Sequence, residues 1–327
     1  MRHHTRLALF TLLASATLAH GQTKPADFSI VREDWVDAAR DRRLPVKIYL
    51  PASSDAKWPV IFLSHGLGGT RESITYAGEA WARAGFLVVA LQHHGSDDSV
   101  WRDKPPAEVL TSLQGAISVE NYKLRCEDVG FAIDHVTELA KTDERFQAKL
   151  DLDHIGLAGH SFGAQTVQGI VGQTFPGGRT LGDPRVKAAI AFSPGLKKEA
   201  DADRAFASVN VPIFHFTGTK DQAPLVRDLT PDERRIPYDH IAHNDQYLLV
   251  FKDGDHAVFN GVPQRRRLTQ NSNISVEQYQ AWQKLIIESS TQFWNAYLRD
   301  DEKAKTSLRS FGDTLGEAGT FEHKANP

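Results

Sequence analysis

Ser161 stands in Gly159-His160-Ser161-Phe162-Gly163, a Gly-x-Ser-x-Gly pattern set directly after the apolar run Ile155-Gly156-Leu157-Ala158 and directly before a helical run. The five residues alone are a common pattern, and the strand–turn–helix setting gives them meaning. A tight turn between strand and helix lifts a serine hydroxyl clear of the backbone, and glycines on either side avoid collision with the neighbouring strand or helix. The helix that follows points its first N–H groups at the place where negative charge would develop. A serine hydroxyl is a poor nucleophile until a base takes its proton, so a histidine must lie near it in space.

Among 14 histidines, His256 is the best placed. It follows the last expected strand in Asp253-Gly254-Asp255-His256, on a loop able to return over Ser161. His215 alternates within an apolar strand and reads as buried structure, and His240 and His243 flank a polar loop. His160 sits inside the turn, with its side chain expected to point away from the nucleophile. The acid that orients the base is expected between serine and histidine in the chain. Asp221, in Gly218-Thr219-Lys220-Asp221 after the strand Pro212 to Thr217, meets that need, and Asp255 is its rival. A buried carboxylate there would fix the imidazole tautomer and stabilise the imidazolium. The oxyanion of an attacked carbonyl needs two preorganised donors. The backbone N–H of Phe162 is one candidate. The N–H of Leu67, in Ser64-His65-Gly66-Leu67-Gly68-Gly69, is the other. His65 and Trp101, on loops nearby, are candidate walls of a substrate pocket, together with residues 224–244.

The elements that must position these residues are those of an α/β fold. Short β-rich runs alternate with helical ones, the pattern of a mainly parallel central sheet with helices on both faces. Strands are expected at Ile30 to Val36, Leu44 to Leu50, Pro59 to Leu63, Phe86 to Leu91, His154 to Ala158, Lys187 to Phe192, Pro212 to Thr217 and Tyr247 to Phe251. Helices are expected at Glu72 to Ala84, from Ser161 onward, at Ile117 to Leu139 and at Val276 to Leu298. The long helix at Ile117 to Leu139 puts Leu124, Ala132, Ile133, Val136 and Leu139 on one side. Gly95 to Gly115, polar and containing Pro105-Pro106, reads as a loop or small cap.

Arg2 and Arg6 followed by the apolar run Leu7 to Leu18 and small residues at Ala19 and Gly21 read as an export signal, residues 1–21, with cleavage expected after Gly21. The remainder, 22–327, reads as one domain exported to the periplasm or beyond, since no repeat or linker divides it. A formal charge of −3 argues against nucleic acid as a partner, and no later run is apolar for long enough to insert stably in a membrane. Cys126 is the only cysteine, expected as a small buried apolar residue in a helix. Without a matching Cys/His set, no metal site is indicated, and no organic cofactor is needed for the chemistry.

The order Ser161, Asp221, His256 resembles that of the α/β-hydrolase superfamily. More narrowly, the chain resembles bacterial proteins of the dienelactone-hydrolase-like group and the plasma type of platelet-activating-factor acetylhydrolase. The resemblance rests on the Ser64 to Gly68 loop, Leu91-Gln92-His93-His94, the Gly159 to Gly163 turn, the Asp221 and His256 loops, and Phe293-Trp294-Asn295-Ala296-Tyr297-Leu298. Dienelactone hydrolases proper use a cysteine nucleophile, where this chain has Ser161. The acetylhydrolase places its acid after the strand that follows the turn helix, where this chain reads Phe192-Ser193-Pro194-Gly195, so the acid is expected from Asp221. The resemblance implies hydrolysis of a carboxylic ester through an acyl-enzyme on Ser161, and the lack of a long cap domain to bury a large substrate points to a small or short-chain ester. Polyester or cutin-like substrates, a phospholipid acetyl ester, and a binding protein that has lost catalysis are the alternatives.

Overall fold

The computed structural model describes residues 27–52, 56–197, 201–222, 229–261 and 274–325. The expected export signal lies outside them. Two strands open the described chain, β1 (Phe28–Asp37) and β2 (Arg42–Pro51), followed by β3 (Trp58–Ser64), α1 (Thr75–Arg83) and β4 (Leu87–Leu91). Helices α2 (Pro106–Ala116) and α3 (Val119–Thr142) come next, then β5 (Leu150–His160) and α4 (Phe162–Ile170). A short hairpin, β6 (Thr174–Phe175) with β7 (Arg179–Thr180), leads to β8 (Val186–Phe192), α5 (Ala202–Phe206), β9 (Ile213–Lys220) and α6 (Ile236–His240). The chain closes through β10 (Gln246–Asp255), α7 (Val276–Leu298), α8 (Glu302–Arg309) and β11 (Gly319–Lys324).

The main sheet has the order β1-β2-β4-β3-β5-β8-β9-β10-β11. Its centre, from β4 through β10, is parallel, and antiparallel pairs lie only toward the margins. Because the centre is covered on both faces, β3 and β4 are buried along their whole length, which is why they read as unbroken apolar runs. One face carries α3 and α4 over Val60, Phe62, Val89 and Leu157. The other carries α1 and α7, with Trp81 and Trp294 in edge-to-face contact at 5.6 Å over Ile61, Val88 and Ala158. The parallel registers set Ser64 beside Leu91 and Gly159, His160 beside Phe192, and Lys220 beside Asp255. Every loop that carries an expected functional residue therefore leaves from one edge of the sheet, the carboxyl ends of its parallel strands.

α7 spans the expected residues, and the expected strands all form, several of them longer. Cys126 is buried on α3, as expected. Gly95 to Gly115, expected as a loop or small cap, carries most of α2, which starts at Pro106. A proline at the first helical position loses no intrahelical hydrogen bond, so Pro105-Pro106 begins a helix rather than ending one. α3 starts at Val119 because the Ser118 side chain accepts from the Asn121 amide as its N-cap. Leu124, placed on the apolar stripe of α3 by its spacing, is half-buried, and Arg125 and Asp128 hold buried places there instead. Neither α8 nor β11 is legible beforehand, since both are short and largely polar.

Candidate active site

β5 runs straight into Ser161, whose φ of 56° and ψ of −113° are strained for a residue with a side chain, and α4 begins at the next residue. The two flanking glycines are required by contact. A Cβ at Gly159 would strike the Gly163 carbonyl, and one at Gly163 would strike the Ser64 carbonyl on β3. Strained backbone between two such glycines is the geometry that exposes a nucleophile at the end of a strand.

Ser161 Oγ lies 2.9 Å from His256 Nε2, and His256 Nδ1 lies 2.7 Å from Asp221 Oδ1. A carboxylate only accepts, so Nδ1 carries the proton and the Nε2 lone pair faces the serine hydroxyl. Asp221 is fully buried, and burial alone would raise its pKa. The hydrogen bond and charge of His256, with the Arg234 guanidinium 3.5 Å away, hold it instead below the ordinary carboxylate range. Its second oxygen accepts from Thr217 Oγ1 at 2.8 Å. Arg234 also donates to the carbonyls of Ser193 and Pro194, joining the loop after β8 to the one after β9. Asp255 points elsewhere, accepting from the Ala257 amide at 3.2 Å and from the Tyr279 hydroxyl.

The loop after β3 lies against this group: a Cβ at Gly66 would sit 3.4 Å from the Ser161 Cβ. Gly68 N–H donates to the Ser96 carbonyl at 2.8 Å and Gly69 N–H to the Gly66 carbonyl at 3.0 Å. The Leu67 amide makes no hydrogen bond among the described residues, and the Phe162 amide is the first of α4, where no intrahelical acceptor exists. Neither expected donor amide makes a hydrogen bond among the described residues.

The expectation that His65 walls a pocket is corrected. His65 is 1% exposed and lies beneath the loop, its Nε2 accepting from the His93 amide at 3.0 Å and its Nδ1 donating to the Gly66 carbonyl at 2.6 Å. Burial first, and the Arg125 charge second, push its pKa well below the ordinary histidine value, so it stays neutral. Trp101 is half-buried, with its indole N–H on the Gly68 carbonyl at 2.8 Å. Both brace the loop. Of residues 224–244, Leu229 does reach a cavity of about 390 Å³, which is lined also by Ile117, Val119, Tyr122, Phe162 and Phe175. Residues 224–228 lie outside the described chain. A larger cavity of about 830 Å³ is lined by Arg32, Arg40, Arg42 and Arg71, which pair with Glu72, Asp128 and Asp34. None of the Ser161, Asp221 and His256 group borders either cavity, but Phe162, the residue after Ser161, lines the smaller, apolar one.

Several residues that matter to this geometry carry no signal in the linear chain. His160, expected to point away from Ser161, donates from Nε2 to the His256 carbonyl at 2.9 Å and so holds the backbone of His256. Burial, then the neighbouring His256, push the pKa of His160 down to about 3. His93 bridges Ser64 Oγ at 2.9 Å and Asp128 Oδ2 at 3.0 Å beneath the loop. Its neighbour in the chain, His94, is exposed, and only the fold distinguishes the two.

The mainly parallel sheet, the helices on both its faces and the turn at Ser161 are those of the α/β-hydrolase fold. A family model described as "Platelet-activating factor acetylhydrolase, isoform II" matches residues 35–109, which takes in the loop after β3 but ends before Ser161. Platelet-activating factor acetylhydrolase of Canis lupus familiaris is 26% identical over 217 residues, 57% of this chain and 46% of that protein. The protein of the same name from Cavia porcellus is 25% identical over 222 residues, 59% of this chain and 48% of that one. The Bos taurus protein is 26% identical over 211 residues, 55% and 45% of the two. This chain spans about half the length of the curated relatives it matches. It is similar to the platelet-activating factor acetylhydrolases over that stretch. No helix among the described residues is long and apolar enough to cross a membrane.

Proposed function

We propose that the chain hydrolyses carboxylic esters of short acyl chain by acyl transfer through Ser161. The observation that carries this reading is the continuous line from Ser161 Oγ to His256 at 2.9 Å and from His256 to buried Asp221 at 2.7 Å, beside a Leu67 amide that makes no hydrogen bond among the described residues. His256 takes the serine proton at Nε2 as Oγ attacks the ester carbonyl. The imidazolium so formed is stabilised by the ionised Asp221. Charge on the carbonyl oxygen is met by the amides of Leu67 and Phe162, which need no reorganisation to receive it. Collapse of the tetrahedral adduct returns the proton from His256 to the leaving alcohol and leaves the acyl group on Ser161. Water, deprotonated by the same histidine, then releases the acid.

The cavity beside Phe162, mostly apolar and of about 390 Å³, suits an uncharged hydrocarbon portion of the ester. The relatives' printed name, acetylhydrolase, favours acetyl as the acyl group and an acetylated phospholipid as one ester within this class. The competing reading, a binding protein that has lost catalysis, is disfavoured because each of the three positions holds a competent side chain in hydrogen-bond contact. Export to the periplasm or beyond is proposed from the sequence of residues 1–21.

The test is turnover of chromogenic esters from acetyl to dodecanoyl, together with a phospholipid carrying an acetyl ester and a polyester film. Turnover should be highest for acetyl and butyryl esters, and Ser161→Ala should lose it. Equal activity in Ser161→Ala would refute the acyl-enzyme; a preference for the film or for long acyl chains would refute the short-chain assignment.

A further inference from the structure

A fully buried guanidinium stands behind this site, and no step above uses it. Arg125 projects from α3 with 0% exposure, and each of its nitrogens donates a hydrogen bond. Nε reaches Thr166 Oγ1 at 2.9 Å, Nη1 reaches Ser96 Oγ at 2.8 Å, and Nη2 reaches Ser64 Oγ at 3.0 Å and the His65 carbonyl. The guanidinium also lies over the Phe162 ring, 4.7 Å from its centre.

These partners belong to three segments that are separate in the chain. Ser64 and His65 begin the loop that carries the Leu67 amide. Ser96 holds the far side of that loop, because its carbonyl accepts from Gly68 N–H at 2.8 Å. Phe162 and Thr166 are on α4, whose first amide is the other expected donor. One planar side chain therefore links both donor-bearing segments. A fork of donors in fixed geometry does this where a lysine, a point charge on a flexible stem, would not.

The surrounding polar groups form a closed set. Asp128 accepts from His93 Nδ1 and from Arg40 and Arg42. His93 Nε2 then accepts the Ser64 proton, which leaves the Ser64 oxygen facing Arg125. Burial, then the Arg125 charge, push the pKa of His93 down to about 4, so the direction of these bonds is fixed at neutral pH. An apolar side chain would fill the Arg125 position with a smaller desolvation penalty, so stability alone does not account for a cation there.

We propose that Arg125 is a positioning residue for acyl transfer, fixing the separation of the Leu67 and Phe162 amides so that both reach one oxyanion. The proposal rests on the reading of Ser161 as nucleophile. It acts through the two amides and not through substrate, so its effect falls on turnover rather than on ground-state binding.

The test compares the full chain with Arg125→Met, Arg125→Lys and Ser96→Ala. For each, kcat and KM are measured on a chromogenic acetyl ester, the folded fraction by near-ultraviolet circular dichroism, and the Ki of an alkyl trifluoromethyl ketone. The hemiketal of that ketone places an oxyanion where the two amides point. Arg125→Met should lower kcat per folded molecule by about ten- to a hundredfold, leave KM within about threefold, and raise the ketone Ki by a factor similar to the loss in kcat. Arg125→Lys keeps the charge without the fork and should recover only part of the loss. Ser96→Ala removes one arm but leaves the carbonyl for Gly68, and should shift kcat and Ki by about threefold in the same direction. Folded Arg125→Met with parental kcat and Ki overturns the proposal, as does a change confined to KM. Should Arg125→Met fail to fold, parental kcat and Ki in both Arg125→Lys and Ser96→Ala overturn it. A parent chain that neither turns over the ester nor binds the ketone refutes the Ser161 reading itself, and this proposal falls with it.

Discussion

The proposed acid differs from its rival by contact rather than by chemistry. Asp221 follows β9 and Asp255 ends β10 at the same sheet edge, yet only Asp221 is fully buried and bonded to His256. Asp221→Asn should lower kcat by about a thousandfold or more on an acetyl ester, because an amide favours the wrong imidazole tautomer. Asp255→Asn should stay within about tenfold of the parent, since the residue only supports its own loop and Tyr279. Reversed effects would exchange the two assignments. Ser161, Asp221 and His256 were legible from the sequence because each ends a strand in the order the chemistry needs. His65 is not legible as a buried residue because proximity to the loop can be read from the chain and the direction of a side chain cannot. Arg125, Asp128 and His93 were not legible as a group. Their side-chain partners stand 29 to 88 residues away, and charged residues on a helix normally denote a wetted face.

At the scale of elements, the tight crossings are what hold the site in place. Gly163 faces the Ser64 carbonyl so closely that an added methyl must displace β3 or α4. Gly163→Ala should therefore lose about 2 kcal/mol or more of stability, read from the midpoint of urea unfolding, and lose turnover with it. Gly115, near the end of α2 and exposed, meets nothing within 4 Å, and Gly115→Ala should add about 0.5–1 kcal/mol by restricting the unfolded chain. A loss of stability at Gly115 or none at Gly163 would contradict the packing described here. The parallel centre of the sheet was legible because strands buried on both faces have continuous apolar sequences. β11 was not, because Gly-Thr-Phe-Glu-His-Lys pairs at an edge where only some positions are covered.

Over the whole molecule, buried neutral histidines set the response to acid. His93 and His215 have pKa values pushed down to about 4, and His160 to about 3, in each case first by burial. Unfolded, each has the ordinary value of 6.5, so below that pH the unfolded chain binds protons that the folded chain refuses. Stability is thus complete above pH 6.5 and is lost as pH falls toward about 4, at up to about 1.4 kcal/mol per pH unit for each histidine. The melting temperature should drop steeply across that window, and replacing His215 by Gln should flatten the drop by about one proton's worth. A melting temperature level from pH 7 to pH 4 would contradict the burial of these rings as neutral groups.

The central claim is that Ser161 is a nucleophile activated by His256, and covalent capture tests it most directly. The parent chain, Ser161→Ala and His256→Ala are each treated with a fluorophosphonate and analysed by intact mass and peptide mapping. The account predicts one adduct per chain, on the peptide bearing Ser161, absent from Ser161→Ala and slowed by at least about a hundredfold in His256→Ala. An adduct on another residue, or equal labelling of all three chains, would contradict it.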